Sequence, residues 1–243
     1  SNSPEMQEIH QSQKEEANNE FCKFIYKNYS KWIKAKEDDA PVMSHTLMKK
    51  HVFPFLEKGK STFFVLIDNL RFDQWKTIQP KFAEYFRILE EDIVLATLPT
   101  TTQYSRNAIF AGMLPVDIEK KFPVEWKNDD EEGGKNLYEE QFFIDQLKRN
   151  NLKDLKFSYT KVTNHHNAEI LENNIQNMLH NDLNIIVYNF VDMLSHARTE
   201  MEVLKELANV EISYRSITQS WFEHSPLFAG LKKVADKNIK LII

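Results

Sequence analysis

Hydrophobic positions recur every third or fourth residue through the first stretch of the chain. Phe21, Phe24, Ile25, Tyr29, Trp32 and Ile33 share this spacing, and residues 5 to about 36 contain neither glycine nor proline. The pattern predicts one long amphipathic helix. It breaks at Asp39-Ala40 before Pro41, because a residue that precedes proline is driven out of the α region. A shorter helix is predicted from Ser44, disturbed by Pro54 and ended near Gly59.

From Ser61 the period changes. STFFVLID (61–68) is a continuous apolar run closing on Asp68, and runs of similar texture follow at 91–99, 155–163, 183–192 and 238–243. These predict five strands. Between them the spacing predicts helices over 75–86, 102–113, 137–150, 167–179, 198–209 and 216–237, the last restarting at Pro226. Residues 124–136 are acidic and contain glycine, which predicts a surface loop. Strands alternating with helices predict an α/β fold, a three-layer α/β/α sandwich with a mostly parallel sheet, preceded by a helical segment. Apolar strands fit a sheet buried on both faces. The expected domains are a helical segment at 1–58 and an α/β domain at 59–243. The chain stops inside its own last strand, so it is expected to be a piece of a longer protein, with the α/β domain incomplete at its C-terminus.

Composition narrows the function. Hydrophobic residues make up 42% and charged residues 28%, as a folded core requires. The net charge of -5 gives no support to non-specific binding of nucleic acid or of an anionic membrane. The single cysteine, Cys22, forms no intrachain disulfide and offers no cysteine-rich metal site. That favours a reducing, cytoplasmic setting. No apolar run approaches the roughly 20 residues a membrane helix needs, so no membrane partner is expected.

In open α/β sheets, ligands bind beyond the carboxyl ends of the strands. Asp68 closes the first apolar run, Asp192 and His196 follow the fourth at a spacing of four, and the run at 91–99 leads into a threonine cluster that opens a helix. Each has a plain structural alternative. Asp68 serves equally as a helix cap, Asp192 and His196 as a cap and a surface imidazole, and the threonines as a helix start. Order, strand context and spacing taken together are more specific than any one of them.

LIDNLRFDQW, LATLPTTTQYSRNAIFAG and YNFVDMLSH resemble the first three motifs of the alkaline phosphatase superfamily, most closely its PglZ variant, over roughly 61–243. With the helix before them, the chain is similar to the central and C-terminal part of PorX-type response regulators. Those proteins join a receiver domain, a helical linker and a PglZ domain, and are associated with type IX secretion. The resemblance implies two divalent metal ions, zinc being usual, and a threonine nucleophile. It assigns Asp68 as the ligand on the first strand, and Thr102 as nucleophile and metal-binding residue, with Thr101 as second choice. Asp192 and His196 would hold the other ion. The family also needs an Asp-His pair directly after the next strand, for which NIKLII (238–243) stands, and a later histidine. His165, His166 and His224 do not match those places. Arg71 and Arg106 are candidates for phosphate contact, with a surface or structural ion pair as the equal alternative.

The function implied is a metal-dependent phosphohydrolase, a phosphodiesterase acting on nucleotides or oligonucleotides. It would be the output domain of a two-component response regulator, partnered by a receiver domain and its sensor kinase, with a homodimer as a further option. This stretch alone is expected to bind metal weakly and to turn over negligibly. The competing implication is a non-catalytic scaffold domain that controls dimerisation or partner binding around a structural metal. A phosphomutase ranks below both, because residues 112–155 hold only a loop and a helix where mutases carry an inserted domain.

Overall fold

The computed structural model describes residues 3–126, 137–189, 194 and 211–243. The chain forms two compact units. One comprises Ser1–Leu47 and Ile93–Glu139, the other Met48–Asp92 and Glu140–Ile243.

The second unit holds the sheet. Its strands are β1 (Thr62–Ile67), β2 (Phe157–Val162), β3 (Leu183–Tyr188) and β4 (Lys240–Ile242), all parallel in the order β2-β3-β1-β4. Register sets the two faces. Phe63, Val65 and Ile67 of β1 lie level with Asn184, Ile186 and Tyr188 of β3, and these with Ser158, Thr160 and Val162 of β2. On that face pack α2 (Phe72–Ala83), α6 (His165–Asn174), α7 (Glu211–Glu223) and α8 (Pro226–Val234), through Phe82, Leu171, Phe222 and Phe228 among others. The Phe82 and Phe222 rings stand 5.0 Å apart, and those of Phe222 and Phe228 4.9 Å. On the opposite face Phe143, from α5 (Glu139–Arg149), meets Phe157 of β2 edge-on at 5.3 Å, and Phe53 packs behind it at 6.3 Å. Helices therefore cover both sides of a parallel sheet, as the apolar strands predict.

The amino-terminal edge of the sheet contains a closed polar cluster. Asn184 is fully buried. Its amide donates to Ser61 Oγ (3.0 Å) and to the Met178 carbonyl (2.9 Å), and its Oδ1 accepts from Ser158 Oγ (2.7 Å) and Asn181 Nδ2 (2.9 Å). Every hydrogen-bonding position of this amide is used, as a buried polar group needs.

The first unit contains α1 (Pro4–Trp32), α3 (Thr102–Ala111) and the short α4 (Pro115–Lys121). Phe110, Ala111 and Ile118 are buried in it, together with Met43.

Several elements differ from expectation. Residues 91–99 form no strand of the sheet. Leu95 makes one parallel bridge to Met43, with its N–H on the Val42 carbonyl (3.0 Å) and its carbonyl on the Ser44 N–H (3.1 Å). The run is apolar enough for a strand, but its pairing partner lies in the first unit. The stretch from Ser44 is not one helix but a series of tight and wide turns over Ser44–Thr46, Met48–Val52 and Phe53–Phe55, since Pro54 has no N–H to continue an α ladder. The helix predicted at 167–179 ends at Asn174 and tightens into a 3-10 turn, Ile175–His180. The break between α7 and α8 falls at Ser225, whose Oγ accepts from the Phe228 N–H (3.2 Å) with Pro226 opening α8. The helix predicted over 198–209 lies outside the described residues. Among the described residues no helix is long and apolar enough to cross a membrane.

Candidate active site

Asp68 follows the last residue of β1. Its N–H donates to the carbonyl of Tyr188, the last residue of β3, at 3.0 Å, so the β1–β3 ladder runs up to this position. In a parallel sheet the carboxyl ends of all strands share one edge, and Asp68 stands on it, half-buried. The chain then turns sharply through Asn69, whose φ of 63° is left-handed, a region asparagine tolerates because its side chain bonds locally. Burial pushes the neighbouring Tyr188 hydroxyl up to about 12, so it stays protonated at neutral pH.

Arg71 begins the helix that follows. Its N–H donates to Gln74 Oε1 (2.9 Å), while its guanidinium grips Asp73 through Nε (3.0 Å) and Nη2 (2.8 Å). Arg215 of α7 reaches the same carboxylate at 3.3 Å, and Arg71 lies over the Tyr214 ring at 5.5 Å. Partial burial raises the Asp73 carboxyl, but the bonds from Arg71 and Arg215 outweigh it and hold the group below the usual carboxylate range. Beneath them the buried Gln74 donates to Thr218 Oγ1 (3.2 Å), which donates to the Tyr214 carbonyl (2.8 Å). The start of α2 is thus tied to α7 by a guanidinium–carboxylate–guanidinium clamp. Asp73, Gln74 and Arg215 carry no sequence signal for this, because their partners are some 140 residues away.

In the first unit the threonine cluster opens α3. Thr101 is the N-cap, exposed and extended (φ -63°, ψ 152°), and its side chain makes no capping bond. Its carbonyl accepts from the N–H groups of Tyr104 (3.0 Å) and Ser105 (2.9 Å). Thr102 is the first helical residue, half-buried. The approach is pinned by the buried Ser44, whose Oγ accepts from the Thr97 N–H (3.0 Å) and bonds Ser105 Oγ (2.8 Å), while the Leu98 N–H donates to the Tyr29 hydroxyl (2.7 Å). Gly112 closes the helix with φ 60° and its N–H on the Ala108 carbonyl, a left-handed cap that favours glycine. Arg106, one turn after Thr102, is 5% exposed and its Nε donates to the fully buried Glu139. An ion pair, one of the two roles open to Arg106, is present in the fold. Arg71, likewise, stands in an ion pair with Asp73.

Asp68 and Arg71 belong to one unit, and Thr101, Thr102 and Arg106 to the other. Asp192 and His196 lie outside the described residues. Among the described residues no three of histidine, cysteine, aspartate and glutamate gather to hold an ion. The donor types assigned from the sequence, two carboxylates, an imidazole and a hydroxyl, do suit a zinc-like cation.

Two family models match the chain. The first 33 residues match the PorX response regulator linker domain. Residues 47–236 match the BREX system PglZ alkaline phosphatase-like domain. No curated protein matches. The parallel sheet covered on both faces, with an aspartate at the carboxyl end of its central strand, agrees with the longer match, and the chain belongs to the PglZ family of alkaline phosphatase-like domains, preceded by a PorX-type linker segment.

Proposed function

We propose that this domain is a metal-dependent phosphodiesterase acting on nucleotides or oligonucleotides, with Thr102 as the nucleophile. Membership of an alkaline phosphatase-like family gives the general class of hydrolase. The observation that carries the finer reading is Asp68 at the carboxyl end of β1, the edge where ligands of open α/β sheets bind. Asp68, Asp192 and His196 would hold two divalent ions, zinc by their donor types, with Thr102 as a further oxygen donor. When bound, these ions supply charge compensation at the phosphoryl oxygens.

The chain's own residues would do the rest. Thr102 Oγ1 would attack phosphorus in line with the leaving ester oxygen, forming the Oγ1–P bond as the P–O ester bond breaks, with the hydroxyl proton passing through solvent to the departing oxygen, which leaves as an alcohol. Water would then attack the same phosphorus, breaking the Oγ1–P bond, so that the phosphate monoester leaves and a water proton restores the Thr102 hydroxyl. At the first position of a ten-residue helix, Thr102 stands at the positive end of the helix dipole, which favours phosphate oxygens. The Arg106–Glu139 pair buried one turn later holds that helix start.

The linker match at residues 1–33 supports a signalling context. There the domain would be the output of a response regulator with an upstream receiver and sensor kinase, controlling type IX secretion. The same match favours a second reading, a scaffold whose metal is structural. Thr102→Ala separates the two in the longest natural chain containing this sequence. Catalysis predicts loss of at least about a hundredfold in phosphodiester hydrolysis with metal content by mass spectrometry largely kept, and loss of the secretion phenotype. Unchanged hydrolysis rejects Thr102 as nucleophile. Lost hydrolysis with secretion intact favours the scaffold.

A further inference from the structure

Toward the end of α1 one face is half-buried. Ile25, Asn28, Tyr29 and Trp32 share it at helical spacing, whereas Tyr26, off this face, is 91% exposed. Tyr29 reaches the chain that leads to Thr102. Its hydroxyl accepts from the Leu98 N–H at 2.7 Å, across 69 residues of sequence. Stability alone gives little reason for this bond. Leu98 is 45% exposed, and an N–H at such a place can bond to water instead. Exchanging water for a hydroxyl there gains little. A phenylalanine would cover the same apolar surface. What the hydroxyl adds is a fixed point, set four residues before Thr102.

The loop there has few other anchors. Leu98, Pro99, Thr100 and Thr101 are all exposed. Among the described residues, Pro99 and Thr100 make no hydrogen bond, and Thr101 makes only the carbonyl bonds that open α3. Ser44 Oγ holds the Thr97 N–H before this stretch (3.0 Å) and Ser105 Oγ beyond it (2.8 Å). Tyr29 supplies the hold at the start of the exposed stretch itself. The place of a nucleophile matters steeply, since a displacement of about 1 Å costs about a hundredfold in rate.

We propose that Tyr29 is a positioning residue for Thr102, its hydroxyl setting where the 98–101 loop holds the nucleophile. Tyr29 lies within the linker match at residues 1–33 and outside the alkaline phosphatase-like match at 47–236. The helix before the domain thereby contributes to the placement of its reacting group. The proposal rests on the reading of Thr102 as nucleophile.

Tyr29→Phe keeps the ring and removes the hydroxyl. In the longest natural chain containing this sequence it is expected to lower kcat for phosphodiester hydrolysis about tenfold. KM should stay within about twofold, the mark of an interaction that acts in the transition state, and metal content should not change. Hydrogen exchange reads the same role without activity. The amides of residues 97–102 exchange faster in the variant, and those of 106–111 do not. Ile25→Ala is the control, because it loosens the same part of α1 and keeps the hydroxyl. It should lower the melting temperature at least as much as Tyr29→Phe while kcat stays within about twofold. Unchanged kcat or unchanged exchange in Tyr29→Phe overturns the proposal. So does an Ile25→Ala chain that loses kcat equally, which makes packing of α1 the cause. Thr102→Ala run beside them separates the two readings. If it abolishes hydrolysis while Tyr29→Phe leaves kcat unchanged, the nucleophile stands and the positioning role is lost. If Thr102→Ala stays active, or the parent chain hydrolyses no phosphodiester, the nucleophile assignment fails and the positioning role fails with it.

Discussion

Asn184 stands near the amino-terminal edge of the sheet, on an inner strand otherwise made of leucine, isoleucine, valine and tyrosine. Four hydrogen bonds converge on its side chain. Removing one partner of a buried bond leaves the other desolvated and unpaired, which costs more than the bond contributes. Asn184→Leu strands Ser61, Ser158, Asn181 and the Met178 carbonyl together. We expect it to destabilise the protein by about 3 kcal/mol or more, read as a lowered urea midpoint with an unchanged slope. The same residue shows a limit of sequence reading. An asparagine within an apolar run looks like a weak point of the strand, and its partners lie 3, 6, 26 and 123 residues away. Arg106 is similar. Its place one turn after a candidate nucleophile suggests a ligand contact, and only the structure supplies Glu139.

His45 is a second residue whose role is set by its surroundings. Burial lowers its pKa, partly offset by Glu37 and Asp117, and its buried Nδ1 has no hydrogen-bond partner. The fold therefore holds the ring neutral. In the unfolded chain it titrates near its ordinary value, so its contribution is present above that value and is lost as pH falls through the lower folded one. We expect stability to decline as pH falls below about 6.5 in chemical denaturation, and His45→Gln to flatten that part of the profile.

At the scale of elements, close approach decides what sequence periodicity cannot. α6 and the turn after it pack on α8 over Gly230. A Cβ there would meet Ile175 Cδ1 at 3.2 Å and the Glu172 Cα at 3.4 Å. The first is the tip of a flexible side chain and the second is backbone. Gly230→Ala should therefore be absorbed with a small loss. Gly230→Val should cost about 1–3 kcal/mol by overpacking, checked by thermal melts of the two variants side by side. Elements with strong apolar texture and clear stops were legible. The residues of β1, β2, β3 and β4 lie within predicted runs, and Gly112, Ser225 and Pro226 mark helix ends where capping chemistry says they should. The run at 91–99 has the texture of a strand but pairs outside the sheet, because texture reports that a segment can pair, not with what. Leu95 pairs with Met43 alone.

For the whole molecule, charge placement sets the acid limit. Glu57 is held low by its bond from Lys240, Glu91 by Lys76 and Trp75, and Glu223 by Gln219 and Lys81. Asp73 is held low by Arg71 and Arg215 despite its partial burial. Carboxylates depressed in the fold contribute stability above their unfolded values and lose it as pH falls through the folded ones. A second acid transition should follow the one owed to His45, below about pH 4.5, and become shallower in high salt because most of these groups are exposed.

The chain's own order of residues determined the class of fold. Strands apolar on both faces, alternating with helices, leave few arrangements other than a parallel sheet between helical layers, because backbone polar groups must pair and apolar faces must be covered. It also determined the family, since the motifs are local and each can be read in place. What only the tertiary structure decided are the partners across sequence distance: Asn184 with Ser61, Asp73 with Arg215, Arg106 with Glu139, and Leu95 with Met43 rather than with the sheet. The reason is physical. Helix and strand periods follow from local backbone geometry, whereas a buried charge or amide is stabilised by whichever group the packed chain brings to it.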